Sequence, residues 1–199
     1  VTIYDGDDPD LPMWMVFNLS GSSGGMLHGN DCVAMLNGIL VCGGDGSWQD
    51  GMSQVSFIED NGFWTTTSGT YSHYYLHPIS GRNTGGYGSG YDGVPRLVHF
   101  KVNDVAMTVL PNAPVDPATG LPVPTIAVAT NGGVSVIKDD GTVVDITYTN
   151  YNFAKNIYFN SKNHLIYSQN NSGTQRIAKV YYDIPPQDLN NPQSGFQRG

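Results

Sequence analysis

Thr125-Ile126-Ala127-Val128-Ala129-Thr130-Asn131-Gly132-Gly133-Val134-Ser135-Val136-Ile137-Lys138-Asp139-Asp140-Gly141, running on to Thr147, decides the fold class. It reads strand, turn, strand, turn, strand, with Asn131-Gly132-Gly133 and Asp139-Asp140-Gly141 as the turns. The strands are apolar at successive positions. That pattern belongs to a sheet covered on both faces, because a sheet with one wet face alternates apolar with polar. A two-residue turn at Asp140-Gly141 predicts Lys138 opposite Val143, Ile137 opposite Val144 and Val136 against Asp145.

Working outward, two other short apolar strands also run into a polar or Gly-bearing turn and a second strand: Ile39-Leu40-Val41-Cys42 and Leu165-Ile166-Tyr167-Ser168. Ile126 and Leu165 start 39 residues apart, and Ile39 and Ile126 start 87 apart, close to twice that interval. A recurrence of roughly 40 residues, each unit holding several antiparallel strands, is the signature of a β-propeller blade. The expected fold is therefore all-β, a β-propeller-like array of short antiparallel blades. An irregular β-sandwich with similar hairpins is the alternative. The 199 residues make between four and five blades of about 40 to 45 residues, which predicts an incomplete propeller. With no Met at Val1, that count implies a fragment or the ordered part of a longer polypeptide.

Residues 1–10 read as an acidic linker or loop, residues 11–182 as the propeller-like domain, and residues 183–199 as an irregular segment or connection. Within the domain, Leu11 to Phe17 is a strongly apolar strand. Cys32 to Leu36, Ile39 to Gly43, Val55 to Glu59 and Phe63 to Thr67 form two hairpins joined at Asn37-Gly38 and Asn61-Gly62, enough for one blade. A type I′ turn at Asn37-Gly38 pairs 36 with 39, 35 with 40 and 33 with 42. Cys42 then faces Val33 and Cys32 points to the other side of the sheet, so two buried free thiols are expected rather than a disulfide. Leu97 to Lys101 and Val105 to Leu110 read as a hairpin around Asn103-Asp104, followed by a proline-rich excursion from Pro111 to Pro124. Asn156 to Asn160, His164 to Ser168 and Arg176 to Tyr182 supply a further unit.

Charged residues make up only 13% of the chain, while Gly (25) and Tyr (12) are abundant, a composition suited to an extracellular or particle-bound β-protein. With 9 basic and 17 acidic residues and no basic stripe, nothing is provided to neutralise phosphates, so nucleic acid is not an expected partner. No run of 18 apolar residues predicts membrane insertion. Asp5, Asp7 and Asp8 could supply carboxylate oxygens to a calcium ion, although their spacing is not that of a known calcium loop. No serine sits in a strand-to-helix elbow, no Gly-rich segment carries the lysine of a phosphate cradle, and no pair of carboxylates is singled out. No cofactor is expected. Trp48, Tyr71, Tyr74, Tyr87 and Tyr91 fall in or beside predicted loops, where aromatic faces can stack on sugar rings. Covering a loop surface or a neighbouring subunit is the plainer role for them.

The segment from Pro124 to Gly141 resembles the blade hairpins of propeller-like virion proteins from marine tailed bacteriophages. Leu11 to Asn18 and Val105 to Leu110 are similar to other segments of that group. The resemblance implies a non-enzymatic structural protein of the virion, in the tail or its fibres, packed against copies of itself or other virion proteins and contacting host surface glycan. It supplies no catalytic residue. Two other readings are a secreted or surface carbohydrate-binding propeller, in which Trp48 and the loop tyrosines line a groove, and a fragment of an extracellular hydrolase.

Overall fold

In the computed structural model the chain is all-β, and residues 1–18, 26–27, 31–44, 51–65, 73–75, 77–84, 86–89, 95–149, 153–171 and 175–190 are described. Trp48, Tyr71 and Tyr91 lie outside them. The opening stretch folds as read, into β10 (Thr125–Thr130), β11 (Gly133–Ile137) and β12 (Val143–Thr147). Around them, β9 (Val102–Thr108) pairs antiparallel with β10, and β16 (Leu189–Asn190) pairs parallel with β12, giving a five-stranded sheet. A six-stranded antiparallel meander holds β3 (Cys32–Leu36), β4 (Ile39–Gly44), β5 (Gly51–Ser56), β6 (Asn61–Thr65), β7 (His73–Tyr75) and β8 (Tyr87–Ser89). Two smaller sheets complete the chain. One contains β13 (Ala154–Phe159), β14 (Leu165–Asn171) and β15 (Gln175–Tyr181). The other is a ribbon of β1 (Thr2–Tyr4) and β2 (Met13–Val16).

These sheets stack in the order ribbon, six-stranded, five-stranded, three-stranded, and none is closed on itself. Period-2 alternation makes the stack possible. In β10, Ile126 and Val128 pack with Val41 and Met52 of the six-stranded sheet, while Ala127 and Ala129 pack with Ile157, Leu165 and Tyr167 of the three-stranded sheet. In β4, Val41 faces the five-stranded sheet, and Leu40 and Cys42 face the ribbon through Phe17. Close approach of the two large sheets needs Gly43: a Cβ there would meet Val102 Cγ1 at 2.3 Å.

Several expectations are met and several are corrected. Val33 lies opposite Cys42, Met35 opposite Leu40 and Leu36 opposite Ile39, and both thiols are free, Cys42 buried as expected and Cys32 only half-buried. The hairpin at Asp140-Gly141 is one residue out of the expected register, with Ile137 opposite Val143 and Ser135 opposite Asp145. Its loop has three residues, closed by Lys138 N–H to Thr142 O (2.8 Å), with Gly141 at φ +81. Asn61-Gly62 is not a turn. Both residues pair within β6, and the left-handed position falls one residue earlier at Asp60 (φ +54).

Asn103-Asp104 is likewise no hairpin but a bulge inside β9, where Asn103 is the unpaired residue. Its Nδ2 donates to Asn131 Oδ1 (2.9 Å) and Ala154 O (2.8 Å), and Asp104 Oδ2 accepts the Ile157 N–H at 2.9 Å. The bulge thereby bonds the five-stranded sheet to the three-stranded one. The acidic opening contributes strand β1, and the irregular C-terminal segment contributes β16. Six strands in the meander exceed the four of a propeller blade.

Candidate functional site

Where the six- and five-stranded sheets splay apart, the proline-rich segment 111–124 crosses the opening and roofs a groove of about 260 Å³. The roof is a small folded loop, because proline fixes its backbone and short bonds close it. Val115 bridges Pro122, Asp116 N–H donates to Leu121 O (2.9 Å), and Val123 N–H donates to Pro114 O (2.8 Å). Asn37, freed by its turn position, donates from Nδ2 to Pro122 O at 2.7 Å and pins the roof to the tip of the β3–β4 hairpin.

The floor combines Phe63 with the polar Gln54, Ser56 and Glu59. Phe63 lines the groove, sits opposite Gln54 and Tyr74 in the sheet, and stacks on Tyr74 with ring centroids 6.2 Å apart. Asn61 Nδ2 donates to Glu59 Oε2 (3.0 Å) and to the Tyr74 hydroxyl (3.3 Å), so carboxylate, amide and phenol form a connected row. Glu59, Asp116 and Asp139 bring acidic groups to the rim and Lys138 a basic one. The Thr119 hydroxyl and the Thr119 and Ala118 N–H groups all donate to Asp116 Oδ1, holding its carboxyl below the usual range and ionised.

No family model, curated protein or solved structure matches this chain.

Of the aromatic residues read as glycan contacts, Tyr74 stands beside the groove, on the same sheet face as Phe63. Tyr87 lies on β8 opposite Tyr75. The structure does not bring Asp5, Asp7 and Asp8 into a common site. Asp5 Oδ1 accepts the Asp7 N–H (3.0 Å) and Asp8 Oδ1 accepts the Asp10 N–H (2.9 Å), and among the described residues no three of His, Cys, Asp and Glu are grouped to hold a metal. Sequence reading missed Gln54, Glu59, Phe63 and Asp116. The one available signal was the run of prolines between two strong strands.

Two buried clusters lie elsewhere. Between the five- and three-stranded sheets the Tyr148 and Tyr181 hydroxyls are 3.0 Å apart, the Tyr167 ring stacks on Tyr181, and burial pushes the Tyr167 and Tyr181 phenols upward. Burial likewise lifts Cys32 to about 12 and Cys42 to about 11, so neither thiol is an activated nucleophile near neutral pH. Partial burial raises the Asp145 carboxyl, although Ser135 Oγ donates to it at 2.7 Å.

Proposed function

We propose that this chain is a non-enzymatic structural module of a phage virion, in the tail or its fibres, built as an incomplete propeller-like array that packs against copies of itself or other virion proteins. The observation that carries the structural part of this reading is a stack of sheets whose five-stranded member is packed on both faces, while among the described residues the outer sides of the ribbon and of the three-stranded sheet carry exposed apolar side chains. Tyr158 is 53% exposed at one end, and Trp14 and Met13 are 54% and 62% exposed at the other. The resemblance of 124–141 to virion blade hairpins, and a chain poor in charge and rich in glycine and tyrosine, favour a particle component. Mass spectrometry of density-purified particles tests this: recovery of the chain at fixed stoichiometry is expected, and its absence from intact particles would refute it.

The groove favours a second reading, contact with a surface glycan. Phe63 offers an aromatic surface in the groove, with Tyr74 stacked beside it, while Gln54 and Glu59 offer the amide and carboxylate groups that bond sugar hydroxyls. A glycan array should show selective binding that Phe63→Ala abolishes, and a blank array removes this reading.

A further inference from the structure

The two ends of the stack differ in chemistry. Residues 1–18, which carry the ribbon, contain Asp5, Asp7, Asp8 and Asp10 and no Lys or Arg. Residues 153–182, which carry the three-stranded sheet, contain Lys155, Lys162, Arg176 and Lys179 and no Asp or Glu, although the chain as a whole has a net charge of −8 with only 9 basic residues. Lys155 and Lys162 are exposed, while Lys179 turns to the core side, its Nζ 4.8 Å from the Tyr148 ring centroid. One end is therefore acidic and the other basic.

Both ends also present apolar surface. In the three-stranded sheet Ile157, Leu165, Tyr167 and Tyr181 point inward to the core, so the alternate row Tyr158, Ile166 and Val180, paired across the three strands, points outward, and among the described residues no sheet lies over it. At the far end Ile3 and Met15 pack inward. Tyr4 (57% exposed), Met13 and Trp14 remain outside, with Trp14 leaning on Phe57 at 5.4 Å.

We propose that the outer face of the three-stranded sheet, with the exposed Lys155 and Lys162 beside it, docks onto the ribbon of a second copy of this chain, beside the acidic loop that joins β1 to β2. This rests on the assembly reading above and names its surfaces. Because the two faces are different, the contact is heterologous: repeated, it closes into a ring or extends as a filament. Tyr158, Ile166 and Val180 would cover Trp14 and Met13, and the surrounding Lys and Asp side chains would set partner and orientation and raise the encounter rate.

Charge exchange tests it. Asp7→Lys with Asp10→Lys makes both ends basic, and Lys155→Glu with Lys162→Glu makes both ends acidic. All four side chains are exposed, and the Asx bonds made by Asp5 and Asp8 are left in place. Sedimentation velocity should show wild-type protein rising above 21.5 kDa with concentration and dissociating as salt is added. Each variant alone should associate at least tenfold more weakly, and an equimolar mixture of the two should recover association, because opposite ends meet again. Circular dichroism of each variant confirms the fold. If wild type associates and both variants do so equally well, these surfaces are wrong while assembly stands. If wild type stays at 21.5 kDa at every concentration and salt, the assembly reading and this contact fall together.

Discussion

The five-stranded and three-stranded sheets are built from similar strands but meet different surroundings. In β10 every residue from Thr125 to Thr130 is buried, with Ile126 and Val128 on one core and Ala127 and Ala129 on the next. In β13 only Ala154 and Ile157 are buried, and Lys155, Asn156 and Tyr158 are exposed. β10 is thus covered on both sides at the centre of its sheet, while β13 carries an exposed row where the stack ends. Small residues fill the interior seam: the alanines of β10 let the three-stranded sheet close on it, and Gly43 lets Val102 close on the six-stranded sheet.

Truncation in the interior should have the largest effect. Ile146, fully buried between the five- and three-stranded sheets, is expected to cost about 2–5 kcal/mol as Ile146→Ala, whereas Tyr158→Ser on the outer face should stay within about 0.5 kcal/mol in the monomer, both read from urea unfolding midpoints. Equal effects would erase the distinction between the two sheets. Gly43→Ala forces a Cβ into Val102 and is expected to cost about 1–3 kcal/mol by thermal unfolding. Gly141→Ala has open space around it, so it should cost only the left-handed backbone penalty of about 1–2 kcal/mol. Gly38→Ala, 3.1 Å from Ile58 Cγ1, should cost more than Gly141→Ala.

Those two glycines also show how much of the fold was legible. At Asn37-Gly38 both residues take positive φ (+47 and +76), the condition for a type I′ turn, and the register followed from the dipeptide. At Asp140-Gly141 only the glycine does. Asp140 Oδ1 instead accepts the Thr142 N–H (2.8 Å) and its hydroxyl (2.6 Å), which widens the loop to three residues and shifts the pairing by one. A polar pair gave the correct register away: Ser135 and Asp145 are partners on adjacent strands and bond at 2.7 Å. Apolar period and turn residues thus located β10, β11, β12 and the three strands of the three-stranded sheet, while β9 was split into a hairpin and β16 was missed. The groove stayed hidden because residues near 37, 54–63, 116–124 and 137–139 meet only after the sheets stack. Asn103-Asp104 misled because a bulge uses turn-like residues to bond a neighbouring sheet.

The smallest effect near neutral pH comes from the thiols. Both have folded values raised above the unfolded thiol by burial, so their contribution is fully present below about pH 8.5 and is lost as pH rises toward about 11 for Cys42 and about 12 for Cys32. Unfolding titrations should show stability falling above pH 9, with a shallower slope in Cys42→Ala.

Residue-resolved native-state hydrogen exchange tests the layered stack most directly. The amides of Ala127, Val128 and Val136 should exchange only through global unfolding, while those of β1 and β2 exchange through smaller openings. If β10 and β11 exchange as fast as β1, the five-stranded sheet is not the covered centre of the molecule and the stacked arrangement is wrong.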